Sequence, residues 1–308
     1  MKTKRSELAE VREELAAAID RQLPGEGDLP MAVPGLHLYR RHSPVVGACQ
    51  VYEPALAVVA QGAKAVDVGS ESFAFGEARW LLTPMHVPAM SRITKASVAR
   101  PYLACALLLD MQAAREMIAE FDVATVDSVT KGSAVTTGPV SLDLLEAMLR
   151  VVRLNERPQD IPVLGKLLHR EILYRLLTSA HGGALRQIVT TGSQSQRVAR
   201  AVEWLRTNFR EPLRVDELAE HARMGVSTLH HHFREMTGSS PLQFQKQLRL
   251  FEARRMMLMD GLDAASAAFA TGYESATQFN REYRRQFGQP PRRDVAGVQG
   301  AETLAFVV

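Results

Sequence analysis

Two short stretches hold the side chains best suited to reading the edge of a base pair. Taken as helices, residues 227–237 and 276–287 each divide into an apolar and a polar side. On the first, Leu229, Phe233 and Met236 fall on one side, and Ser227, Thr228, His230, His231 and Arg234 on the other. On the second, Phe279, Tyr283 and Phe287 point inward, leaving Ala276, Thr277, Asn280, Arg281 and Arg284 outward. Asn can pair with adenine and Arg with guanine, the methyls of Ala and Thr can meet thymine, and the later Arg residues can reach phosphates. Side chains of these types would suit recognition of double-stranded DNA, or they are ordinary solvated helix faces. The run His230-His231-His232 also suggests a metal, but consecutive helical side chains diverge by about 100°, so no metal site is expected there.

These faces need a scaffold, and the sequence supplies the same one twice. A short helix at Val215–Ala222, a tight turn at 223–226 and a helix closed by Gly238 form a helix-turn-helix pattern. Ala264–Ala270, a turn at 271–275 and a helix closed by Gly288 repeat it. Leu229, Phe233, Gly238 and Pro241 recur fifty residues later as Phe279, Tyr283, Gly288 and Pro291. Leu218 and Ala219 recur at a spacing of forty-nine as Ala267 and Ala268, so the second turn is one residue longer. Between the repeats, Leu242–Met259 reads as one long helix. Its eighteen residues span on the order of 27 Å, against the roughly 34 Å between successive major grooves on one face of DNA.

Charge points to the same segment. The net charge of the whole chain is +3, but residues 194–293 hold 16 Lys and Arg against 11 Asp and Glu, while residues 1–193 hold 21 of each. Fifteen of the 16 cations are Arg, whose planar fork suits phosphate and guanine.

The amino-terminal part has a different texture. An amphipathic helix over 3–22 gives way to short β-branched and aromatic runs at 36–40, 56–60, 63–68, 72–75, 80–83, 90–94 and 102–109, with Gly62, Gly69 and Gly76 evenly spaced among them. This pattern predicts an antiparallel β-barrel, whose interior can hold one small ligand. Residues 111–190 read as helical, with apolar stripes at Leu142, Leu145, Leu149 and Val152 and at Leu164, Leu168, Ile172 and Leu176. A linker is expected at 181–196, dividing the chain into domains of 1–190 and 191–308. With no apolar run long enough to span a bilayer and no leader pattern, a cytoplasmic protein off the membrane is expected.

The C-terminal stretch resembles the two-motif DNA-binding domain of the AraC/XylS transcriptional regulators. Gly272-Tyr273-Glu274-Ser275, Phe279, Tyr283, Phe287-Gly288 and Pro290-Pro291 carry the resemblance. Val51-Tyr52-Glu53-Pro54, Gln61-Gly62-Ala63-Lys64 and Pro101-Tyr102-Leu103 resemble the N-terminal domain of one subgroup of that family. Arg214 stands where the family usually has a capping Ser or Thr, and Arg292-Arg293 where it has Tyr-Arg. The resemblance implies an α+β chain: a cupin-like antiparallel β-barrel with flanking helices, then an all-α domain of two helix-turn-helix motifs on a long helix. In such proteins the barrel receives a small-molecule effector or supports dimerisation. A homodimer is expected here because pairing two readers multiplies effective affinity and the helical stripes offer a surface, with RNA polymerase a candidate partner.

Trp80, Met85, His86, Met90 and Tyr102 are the candidate effector-lining residues, mostly apolar with two polar tips. His37 and His42 are five apart and His86 is isolated, so the metal triad of a cupin enzyme is not expected. Neither a GxSxG elbow nor a phosphate loop occurs, so no enzyme and no cofactor are expected. Cys49 and Cys105 read as core apolars, with oxidant or electrophile sensing as the weaker reading. The competing function is a ligand-binding cupin whose helical domain joins protein partners.

Overall fold

The computed structural model describes residues 2–120 and 133–299. Among the described residues the first helix, α1 (Lys2–Gln22), precedes ten strands: β1 (Gly27–Pro30), β2 (Leu36–Arg41), β3 (Val45–Tyr52), β4 (Ala55–Gln61), β5 (Ala63–Val68), β6 (Glu71–Gly76), β7 (Arg79–Thr83), β8 (Val87–Lys95), β9 (Tyr102–Leu108) and β10 (Thr136–Pro139). Helix α2 (Met111–Glu120) lies between the last two. Hydrogen bonding divides the strands into two antiparallel sheets, one in the order β1-β2-β9-β4-β7-β10 and one in the order β3-β8-β5-β6. The three strands without a sequence signal have physical reasons for silence. Both β1 and β10 are four-residue edge strands containing Gly and Pro, and β3 carries Gly47 beside a register shift between Val45 and Ala48.

Alternation along a strand explains the layering. In β9, Leu103, Cys105 and Leu107 face one side of the six-stranded sheet and join the core under α1 and the helices that follow. Tyr102 and Ala104 face the other side, toward the four-stranded sheet. Helices α3 (Leu142–Leu154), α4 (Lys166–Thr178) and α5 (Gly183–Val189) complete the outer layer. Ser141 caps α3 by accepting from the Leu144 amide. The stretch expected as a linker holds α5 and the first residues of the helix that opens at Gln194, with Ala184 and Leu185 fully buried. Its Gly-Gly opening signalled a loop, but packing against the helical layer overrides local propensity. Residues 121–132, inside the stretch read as helical, lie outside the described residues.

The C-terminal helices follow the sequence pattern closely: α6 (Gln194–Asn208), α7 (Val215–Ala222), α8 (Val226–Thr237), α9 (Pro241–Met259), α10 (Ala264–Ala270), α11 (Ala276–Phe287) and α12 (Pro291–Gln299). Ser240 opens α9 with a reciprocal capping box to Gln243 and Pro241 in the first turn. One apolar core joins Val59, Val66, Phe75 and Leu81 of the sheets to Leu218, Leu229, Phe233 and Phe244 of the helical part. A second core adds Cys49 of β3 to Phe251, Phe279 and Tyr283. The four-stranded sheet is thus packed on both faces, and the two halves share interior.

Both cysteines are buried, and burial pushes the thiol of Cys49 up to about 11 and that of Cys105 up to about 12. At pH 8, therefore, native protein should react with a thiol reagent far more slowly than protein in denaturant. Rapid modification of either cysteine in the folded chain would contradict that expectation and revive the sensing role.

Candidate nucleic-acid interface

The first candidate reading helix is α8. Its approach is set by α7, whose last residues turn through Arg223 in the left-handed region, φ 55°. Leu229 and Phe233 are fully buried, and the Phe233 ring meets Phe244 of α9 edge-on at 5.4 Å. Gly238 ends the helix at φ 69°, its amide donating to the Arg234 carbonyl. With that side buried, Ser227, Thr228, His230, His231 and Arg234 are all exposed. Arg214 makes no capping bond to α7 and instead pairs with Glu217 at 2.9 Å.

Its counterpart is α11. Ser275 caps it by accepting from the Gln278 amide, and Phe279 and Tyr283 are fully buried. Glu282 is also buried, which alone would raise its carboxyl. Lys246 at 2.7 Å, the Tyr273 hydroxyl at 2.9 Å and Gln278 at 3.3 Å hold it below the usual range instead. The Tyr283 hydroxyl donates to Asp294 of α12 at 2.7 Å, and Arg254 of α9 donates to the same oxygen. Two polar anchors thus fix the roll of α11 about its own axis. Thr277, Asn280, Arg281 and Arg284 are exposed and Ala276 is half-buried.

A residue with no sequence signal holds the two modules together. Arg249, midway along α9, donates from Nε to the Phe209 carbonyl at 2.6 Å and from Nη1 to that of Gly272 at 2.8 Å. Its Nη2 donates to the carbonyls of Arg210 at 3.0 Å and Glu211 at 2.9 Å. The acceptors are backbone atoms, which a side-chain pattern does not reveal.

The five candidate effector residues occupy several places. Tyr102 lines a cavity of about 30 Å³ between the sheets, with Tyr39, Tyr52, Lys64, Phe75 and Leu81. That volume holds about one water molecule. His86 lines a larger cleft of about 330 Å³ between the strands and the C-terminal helices, with Glu53, Arg206, Arg210 and Arg255. Its Nδ1 lies 3.2 Å from Glu203 of α6. Burial and the Arg206 guanidinium pull the imidazole below its ordinary value, against Glu203 and Glu53, so the ring is mostly neutral at pH 7. Trp80 faces the outer helices, its Nε1 donating to Pro139 and its ring 6.0 Å from that of His181. Met85 belongs to the core shared by both halves, and the Met90 sulfur lies 4.0 Å from Gln286 of α11.

The fold and the paired outward faces define a two-module helix-turn-helix protein with an antiparallel β-sheet domain ahead of it. A family model for the AraC-type transcriptional regulator N-terminus matches residues 32–184, and one for a helix-turn-helix domain matches residues 218–295. The chain belongs to the AraC/XylS family.

Among curated relatives, the HTH-type transcriptional activator RhaS of Yersinia pestis bv. Antiqua (strain Angola) is 27% identical over 139 residues, 45% of this chain and 50% of that protein. RhaS of Pectobacterium carotovorum subsp. carotovorum (strain PC1) is 30% identical over 106 residues, 34% of this chain and 38% of its own. The chain thus spans about half the length, or less, of these relatives. The same two-domain fold occurs in ToxT from Vibrio cholerae, with TM-score 0.55 and 10% identity over 85% of this chain and 97% of that one. A ToxT structure bound to an unsaturated fatty acid gives TM-score 0.55 at 7% identity, covering 87% and 98%.

Proposed function

We propose that the chain is a sequence-specific transcriptional regulator that binds double-stranded DNA through α8 and α11. The observation that carries this reading is the repeated division of those helices: both bury an aromatic side in the domain core and leave base-capable side chains exposed. Arg281→Ala should cost about 1 to 3 kcal/mol on a specific site and relax preference at one base pair, whereas Arg284→Ala should weaken all sequences alike. Gel-shift titrations of both variants on specific and random duplexes check this, and equal losses everywhere for both would remove the assignment. Binding to a 20 to 40 base-pair site should also fall steeply with salt, by roughly one logarithmic unit per phosphate contacted for each tenfold rise in salt.

Regulation by a small molecule is supported by the position of the cleft. Its volume falls within the range of small-ligand sites, roughly 300 to 1,000 Å³, and its walls come from both halves of the chain. In this reading His86 orients the effector there, while Tyr102 lines the separate inter-sheet cavity and Trp80, Met85 and Met90 line neither. Barrel closure of the cupin kind and domains of 1–190 and 191–308 belong to the same reading. A homodimer is supported by Val163, Leu164, Leu167 and Tyr174, which are 66%, 43%, 59% and 49% exposed on and just before α4. RNA polymerase is the partner a regulator of this kind would contact. Among the described residues no helix is long and apolar enough to cross a membrane, and a cytoplasmic, non-enzymatic role completes the proposal.

A further inference from the structure

The first reading helix holds a cluster that DNA recognition does not use in full. His231, His232 and Glu235 each place a ligand atom within 4.8 Å of the others. His231 and Glu235 are one turn apart and share a face of α8. His232 is adjacent in sequence, and its Cα–Cβ direction diverges from that of His231 by about 100°. The side-chain torsions close that gap. The two imidazoles lie 5.1 Å apart, centre to centre, tilted at 70°. The Nδ1 of His232 is 3.4 Å from the Glu235 carboxylate.

We infer that α8 carries a surface site for a divalent transition ion of the zinc class, held by His231, His232 and Glu235. Two imidazoles and one carboxylate are a ligand set that zinc accepts at bond lengths of about 2.0 to 2.2 Å, leaving a fourth position for water. Imidazole donors favour zinc, nickel or copper over magnesium or calcium. Drawing ligand atoms that already lie within 4.8 Å of one another to tetrahedral contact takes rotamer adjustment, for which the exposure of His231 and Glu235 and the half-burial of His232 leave room. Binding replaces one carboxylate charge with a net positive centre. It also turns the His231 ring toward Glu235 and away from the outward edge proposed to meet bases. That last consequence, unlike the metal site, rests on the DNA-binding reading.

The test uses the full-length, untagged chain after chelator treatment, titrated with Zn²⁺ against a chromophoric competitor. Wild type should take up about one ion per chain at about 50 μM protein. His232→Gln and Glu235→Gln should each weaken uptake about tenfold or more with unchanged thermal midpoints, and His221→Gln, on α7, should match wild type. Absence of uptake by wild type, or equal uptake by the His232→Gln and Glu235→Gln variants, would overturn the site. Neither substituted residue belongs to the proposed DNA contacts, so both variants should bind DNA like wild type in the absence of metal. Zn²⁺ should then weaken specific binding by wild type and leave His232→Gln unaffected. Normal zinc uptake by a chain that binds no duplex would keep the site and discard the DNA reading. Equal zinc sensitivity of wild type and His232→Gln on DNA would overturn the coupling to His231.

Discussion

Gly272→Ala should be among the most damaging single-methyl changes in the C-terminal half. Gly272 sits at φ +85°, and a Cβ there would lie 2.1 Å from the Arg210 carbonyl oxygen and 2.9 Å from its carbon. The obstacle is backbone whose carbonyl oxygen also accepts from Arg249 Nη2 at 3.0 Å, so it cannot swing away as a flexible side chain would. Left-handed strain and overpacking together should cost roughly 2 to 5 kcal/mol. Gly288→Ala is the matched control. Its φ is +79° but nothing lies within 4 Å of the added methyl, so only the strain of about 1 kcal/mol remains. Denaturant midpoints of the two variants separate the effects. A Gly272→Ala protein no less stable than Gly288→Ala would show that the turn and the 210 loop do not press together in solution.

The second large effect is expected at Arg249. Arg249→Met keeps much of the stem's packing but removes the guanidinium's donors to the four carbonyls of Phe209, Arg210, Glu211 and Gly272, of which Glu211 keeps a bond from Gln245 Nε2 at 2.7 Å. A bond to a charged donor is worth about 1.5 to 3 kcal/mol, and some of these carbonyls regain water at the exposed rim, so the net loss should be roughly 2 to 4 kcal/mol. The larger consequence is geometric. The four acceptors lie in the segment after α6 and in the turn before α11, so the guanidinium locks the second module against the first. Under the proposed function, Arg249→Met should lose more affinity for a duplex spanning both half-sites than for one offering a single half-site. A proportional loss on both duplexes would show that the clamp contributes stability without setting the spacing of the reading helices.

The C-terminal half was legible in the sequence because its signals are local and repeated. Gly238 and Gly288 end helices, Ser240 and Pro241 open one, and the aromatic pairs Phe233 with Phe244 and Phe279 with Tyr283 mark the buried sides. All seven strands with β-branched or aromatic texture formed where expected, whereas β1, β3 and β10, interrupted by Gly or Pro, were silent. The outward residues of α8 and α11 could be named from a helical wheel, since what decides their exposure is the apolar residue one turn away. The effector candidates were chosen on side-chain chemistry, and a strand's chemistry does not say which sheet face it serves. Trp80 and Tyr102, both buried, go to opposite sides of the six-stranded sheet. The Arg249 clamp depends on carbonyls 23 to 40 residues away in sequence, at distances no local periodicity encodes.

At Gly69 the turn between β5 and β6 lies directly on Gly238 at the end of α8, so close that a Cβ on Gly69 would sit 3.0 Å from the Gly238 Cα. Beside it the Ala134 amide donates to the Met236 carbonyl at 3.0 Å. Main chain meets main chain at that seam, with no intervening side chain to serve as a cushion. Chimeras that graft another relative's strand-rich half onto these C-terminal helices must therefore keep a glycine at position 69, opposite the retained Gly238. Alanine at position 69, with φ at +58° and its methyl 3.0 Å from the Gly238 Cα, would press on the end of α8.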